Sequence, residues 1–144
     1  MWKYIERFLK ADRPRATGRE QTGLWGEQAA ESLLRAKGYK ILSRRLRIGP
    51  RDEIDLVARS GDALVFVEIK TRANEEFGRP FAAVDRGKRF HLARAAVRYL
   101  KRLKNQPASF RFDVVEVVGR PDGAEPVMRH IESAFPLPKN FRVP

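Results

Sequence analysis

Three residues in one short stretch of the chain have the types and spacing that phosphodiester hydrolysis requires: Asp55, Glu68 and Lys70. Two carboxylates can share one hard cation. An ammonium beside that cation can orient an attacking water or offset charge on a phosphate in transition. This chemistry needs no cysteine, serine or histidine. The chain has no cysteine and two histidines, His91 and His130, which excludes thiolate nucleophiles, disulfide scaffolds and multi-histidine or cysteine zinc sites. A resident metal would be held by Asp and Glu oxygens, which points to Mg²⁺ or Mn²⁺.

Whether the three residues meet depends on the elements that carry them. The runs Glu53 to Ala58 and Ala63 to Thr71 read as strands, joined by Arg-Ser-Gly-Asp as a tight hairpin turn. With the turn centred on Ser60 and Gly61, Arg59 pairs with Asp62 and Asp55 lies opposite Phe66. Glu53, Asp55, Phe66, Glu68 and Lys70 then project from one face, and Ile54, Leu56, Val65, Val67 and Ile69 from the other. Asp55 and Glu68 become diagonal neighbours, roughly 7 Å apart at the backbone. The competing reading is a solvated, salt-bridged strand face worth little energy. Against it, Leu64 to Ile69 is apolar on both sides, as in a central strand, where charges must be paired or coordinated. Periodicity leaves both readings open. Glu27, one turn before Ala30 and Leu34, offers a third acid that can reach a neighbouring site or bend out to water.

The remaining elements follow from the same patterns. Residues 1–17 read as an appendage, with Trp2, Ile5 and Leu9 at the spacing of a short helical stripe ahead of a basic run. A first helix is predicted from Thr22 to Lys37, with Gly26, Ala29, Ala30, Leu33 and Leu34 inward and Gly38 as its stop. A strand from Tyr39 to Ile48 completes a three-strand antiparallel meander. A second helix is expected from Asp85 to Leu103, burying Phe90, Ala93, Ala96, Val97 and Leu100. Phe110 to Val118 is a further strand and Val127 to Ser133 a short edge strand. Residues 136–144 read as an irregular, Pro-rich tail. The expected fold is α/β: a central mixed sheet, in the order helix, three-strand meander, helix, strand, flanked by helices. At 144 residues the chain holds one core, placed over residues 18–135.

Thirty Lys and Arg against 18 Asp and Glu give a formal charge of +12. The usual partner of such an excess is a polyanion, the alternative being generic surface arginine. The second helix carries Arg86, Lys88, Arg89, Arg94, Arg98, Lys101, Arg102 and Lys104 against one acid, Asp85. Arg44, Arg45, Arg47 and Arg51 form a second basic group, and Arg72 closes the hairpin. Phosphate contacts are expected from Arg44, Arg45, Arg47, Arg51, Arg72, Lys88, Arg89, Arg94 and Arg98. No zinc finger or aromatic-interleaved sheet motif suggests base reading, so binding would run through backbone charge and shape. No apolar run spans a bilayer and the N-terminus lacks a signal-peptide core, which points to a cytoplasmic protein with no membrane partner.

Five stretches carry a family resemblance: Gly23-Leu-Trp-Gly-Glu27-Gln-Ala-Ala30; Glu53-Ile-Asp55-Leu-Val57; Phe66-Val-Glu68-Ile-Lys70-Thr-Arg72; Phe77-Gly-Arg-Pro80 with Ala83-Val84 and Lys88; and Arg111-Phe-Asp-Val-Val115. In their order and spacing they resemble the YraN-type family of uncharacterised bacterial proteins. That family is restriction-endonuclease-like and related to Holliday-junction resolvases within the PD-(D/E)xK superfamily. The resemblance implies that fold, with Asp55 and Glu68 as metal ligands, Lys70 as the catalytic lysine and Glu27 as a further acid on the first helix. It also implies a DNA substrate of branched or unusual structure and the pairing of chains into a homodimer. The chain departs from the family pattern at Asp52, where a glycine is usual; this extra carboxylate is expected either to shift metal preference or to stay in solvent. Fold alone does not fix function. Beside a Mg²⁺- or Mn²⁺-dependent endonuclease stand a nucleic-acid-binding module that keeps the fold without cutting, and a protein-interaction domain with an acidic partner.

Overall fold

The computed structural model describes residues 18–144; the appendage expected over residues 1–17 lies outside the described residues. Helix α1 spans Gly18–Ala36, strands β1, β2 and β3 span Lys40–Arg47, Glu53–Ser60 and Ala63–Arg72, and a 3₁₀ turn covers Pro80–Ala83. Helix α2 (Arg86–Lys101), β4 (Ser109–Val118) and β5 (Val127–Phe135) follow. The five strands form one sheet in chain order, β1-β2-β3-β4-β5. The first three are antiparallel, β3 and β4 are parallel, and β5 returns antiparallel to β4. A parallel step needs a crossover of a dozen residues or more, which α2 provides. The mixed sheet flanked by two helices is the α/β architecture expected, and is compatible with a restriction-endonuclease-like fold. No helix among the described residues is long and apolar enough to cross a membrane.

Each face of the sheet buries a helix. On one, Ala30 and Leu34 of α1 pack with Leu56, Ala58, Val65, Val67, Ile69, Val115 and Val117. On the other, Leu92, Ala93, Ala96, Tyr99 and Leu100 of α2 pack with Leu46, Ile54, Val57, Leu64, Phe66 and Phe112. Leu64 to Ile69 is buried throughout, as its two-sided apolar pattern predicts. Gly26 lets α1 sit close on β3, because a Cβ there would fall 2.0 Å from Thr71 Oγ1. Gly38, at φ +88°, ends the helix in the left-handed conformation that glycine adopts without steric cost.

Several boundaries and faces differ from expectation. Helix α1 begins four residues before Thr22, and β5 runs two residues past Ser133. Asp85 caps α2 instead of belonging to it, its Oδ1 accepting from Lys88 N at 2.9 Å. Phe90 is not on the inner face: it is 37% exposed and lies against Phe141, with ring centroids 4.9 Å apart. The hairpin pairs Ser60 with Ala63 and Val57 with Phe66, two residues from the expected register. An even slip keeps every side chain on its face, with one exception. Ile54 joins the α2 core while Leu56 joins the α1 core, so strict alternation breaks at the residue between them, Asp55.

Candidate active site

The β2–β3 ladder runs from Ser60↔Ala63 to Leu56↔Val67 and stops. One more step of this register would set Asp55 opposite Glu68, where the expected register made them diagonal, but the pairing ends before it. There the strands part, and the amide of Ile69 donates to Asp55 Oδ2 at 2.8 Å. A side chain has replaced the missing backbone acceptor. Burial pushes the Asp55 carboxyl well above the ordinary aspartate range, and the negative charge of Glu68 pushes it further.

Glu68 is the companion acid, its side chain only 3% exposed. Its Oε1 lies 3.2 Å from Lys70 Nζ and 3.5 Å from Lys88 Nζ. Its Oε2 is buried with no hydrogen-bond donor, a costly state for a carboxylate oxygen. A proton shared with Asp55 would satisfy it, and so would a cation. The donor set, two carboxylate groups with one oxygen unclaimed, suits Mg²⁺ or Mn²⁺. The lysines lie against the other oxygen.

Glu27 reaches the edge of this arrangement. It lines, with Leu24, Glu31, Arg44 and Asp55, a cleft of about 170 Å³ between α1 and the meander. Its Oε2 accepts from Arg45 Nε at 2.7 Å, and Arg45 itself holds φ at +46°, a conformation uncommon outside glycine. No three His, Cys, Asp or Glu side chains gather as a metal-holding group among the described residues. Asp55, Glu68 and Lys70 are therefore brought together, while Glu27 stands on the cleft wall with its carboxylate engaged by Arg45.

Residues 26–117 match the family described as "Uncharacterised protein family UPF0102". The chain belongs to the UPF0102 family. A UPF0102 protein of Symbiobacterium thermophilum is 50% identical over 103 residues, 72% of this chain and 86% of the relative. One from Geotalea daltonii is 43% identical over 112 residues, covering 78% and 87% of the two chains. One from Syntrophomonas wolfei is 44% identical over 117 residues, covering 80% and 97%. The stretch matched to UPF0102 contains Glu27, Asp55, Glu68, Lys70 and Lys88.

The carboxylate at position 52 of this UPF0102 chain neither stays in solvent nor joins the acid pair. Asp52 is buried and accepts from Arg94 Nε at 2.7 Å, Arg94 Nη2 at 2.8 Å and Arg98 Nη1 at 3.1 Å. Hydrogen bonding to Arg94 leads the causes that hold its carboxyl below the usual range, against the opposing effect of burial. The clamp ties α2 to the loop before β2. Arg94 and Arg98, expected to face phosphate, thus spend their charge inward. The other expected phosphate contacts divide likewise. Arg44 pairs with Glu31, Arg45 with Glu27 and Lys88 with Glu68. Arg89 Nε donates to Val84 O and its guanidinium lies over the rings of Phe81 and Phe135. Arg47, 3.9 Å from Glu53, keeps an 84% exposed side chain, and Arg51 and Arg72 are exposed.

Two further buried acids of the UPF0102 chain, both on β4, carry no role in the sequence reading. Asp113 accepts from Arg111 Nε at 3.0 Å and Ser133 N at 3.0 Å, and its Oδ2 is 2.7 Å from His130 Nε2. Burial raises its carboxyl, but these bonds outweigh that and leave it below the usual range. They hold the register shift where β4 meets β5. Glu116 is the Cα partner of Lys70 across the parallel pair, fully buried, and accepts from Arg79 Nη2 at 2.6 Å and Phe81 N at 2.8 Å. A carboxylate inside a strand apolar on both sides was the available signal, the same one that singles out Glu68.

Proposed function

We propose that this protein is a Mg²⁺- or Mn²⁺-dependent endonuclease that grips DNA through backbone phosphates. The observation that carries the reading is the buried, donorless Oε2 of Glu68 beside an Asp55 carboxyl crowded by burial and like charge. Such a pair is an unstable neighbour for itself and a good one for a divalent ion. Bound between Asp55 and Glu68, that ion would supply Lewis-acid polarisation and a water of lowered pKa. Asp55 is held by the Ile69 amide, which fixes one of its oxygens. Lys70 and Lys88 keep two ammoniums within 3.5 Å of Glu68 Oε1, where they offset charge on an incoming phosphodiester. The +12 chain supplies the attraction that brings a polyanion to an acidic site.

A second reading, a binding module of the same fold that does not cut, is favoured by the ion pair that engages Glu27. The two separate in one assay. Purified protein is incubated with linear, nicked, flap and four-way DNA, with and without Mn²⁺, beside Glu68→Gln and Lys70→Ala. Cleavage that needs Mn²⁺ and disappears in both variants supports the enzyme. Salt-sensitive binding without cleavage supports the module, and cleavage surviving in both variants rejects the site.

A further inference from the structure

We infer that Phe77 is a base-stacking residue, and that the nucleic acid acted on carries unpaired bases beside the scissile phosphate. The inference rests on the nuclease reading and deepens it by naming the substrate class. Phe77 is 99% exposed, whereas the next most exposed phenylalanine among the described residues, Phe90, is at 37% and covered by Phe141. It stands on the loop of residues 73–79, which continues β3 only a few positions past Lys70.

The loop is not left to wander. Glu76 N donates to Asn74 Oδ1 at 3.1 Å, and Gly78 N to Glu75 O at 3.0 Å. Glu75 is paired with Arg129. The far end is fastened by Arg79 and the Phe81 amide to Glu116, the buried carboxylate whose Cα partner is Lys70. The loop thus leaves from the end of β3, which carries Glu68 and Lys70, and returns to Glu116 beside Lys70, so Phe77 is carried on a segment anchored next to the site.

The surroundings select the occupant. Arg72 is exposed at the end of β3, while Arg79 and Arg129 are paired with Glu116 and Glu75 but keep side chains 55% and 35% exposed, so the anchors of the loop leave guanidinium surface open to a phosphate backbone. A protein partner would call for a contiguous apolar patch of several hundred Å²; a single ring suits the flat face of a nucleobase. In an intact duplex those faces are already stacked on one another. Phe77 therefore finds its partner only where bases are unpaired, as in a bubble, a flap or a single strand.

The test uses the full chain in EDTA, so that binding is read without cleavage. Anisotropy titrations compare a duplex with the same duplex carrying an internal bubble, for the wild type, Phe77→Ala and Phe77→Trp, with 2-aminopurine in the bubble as a stacking probe. The wild type should favour the bubble. Phe77→Ala should lose about tenfold on the bubble and little on the duplex, while Phe77→Trp keeps the preference. The 2-aminopurine emission should change with the wild type and not with Phe77→Ala. Equal affinity of the wild type for both DNAs, or an equal loss on both in Phe77→Ala, overturns the stacking role and leaves the nuclease reading standing. Absence of binding to either DNA at low salt overturns both.

Discussion

Replacing Asp52 by Asn changes almost no volume and removes one charge, so its cost measures the clamp. The side chain is fully buried and takes three bonds from two guanidiniums. At about 1.5–3 kcal/mol for each hydrogen bond to a charged group, their sum is an upper bound, because the side chains of Arg94 and Arg98 are 33% and 40% exposed and can turn to water. Breaking a buried pair from one side costs about 3–5 kcal/mol. With that solvation allowed for, Asp52→Asn should lose about 2–4 kcal/mol and melt roughly 5–15 °C lower. The folded carboxyl is held below its ordinary value near 3.8, so its stabilisation is present above that pH and lost as pH falls through the lowered value. The gap between wild type and variant, read by urea or thermal melts from neutral to strongly acid pH, should therefore close in acid. A loss under about 0.5 kcal/mol, typical of a neutral surface change, or a gap that does not change with pH, would falsify the clamp.

Two further outcomes test the acid pair and the packing behind it. Burial and the charge of Glu68 both disfavour the ionised Asp55 carboxylate; Asp55→Asn should therefore be more stable than the metal-free wild type in thermal melts, and Mn²⁺ should raise the melting temperature of the wild type alone. Gly26→Ala should cost about 1–3 kcal/mol through overpacking against Thr71; Thr71→Ala should recover most of that in a double-mutant cycle measured by denaturant melts.

The parts of the fold that rest on local periodicity were legible in the sequence. The two-sided apolar run Leu64 to Ile69 announced a central strand, and the alternation around the hairpin put Asp55, Glu68 and Lys70 together even though the turn closes one residue further along than expected, which shifts each cross-strand partner by two. An even register error conserves faces, which keeps Glu68 and Lys70 on theirs; Asp55, where alternation breaks, is held instead by the Ile69 amide. What could not be read depends on contacts distant in sequence. The partners of Asp52 lie 42 and 46 residues away, and Glu27 is taken by an arginine 18 residues on. A signal for the first existed in the helix: His91, Arg94 and Arg98 share one helical stripe, and all three reach Asp52. Ile54 departs for a different reason: alternation assumes a continuous ladder, and the β2–β3 ladder ends at Leu56, two residues before it is reached.

The Ile69 amide makes Asp55 a rung of the sheet as well as a member of the acid pair. Asparagine at this position keeps an oxygen for that rung, whereas alanine removes it and leaves a backbone donor with nothing to replace the lost acceptor. The two replacements therefore ask different questions of the same residue. A defect shared by both belongs to the chemistry of the carboxylate, and any excess defect in the alanine variant belongs to the architecture, a fraying of the strand that also carries Glu68 and Lys70.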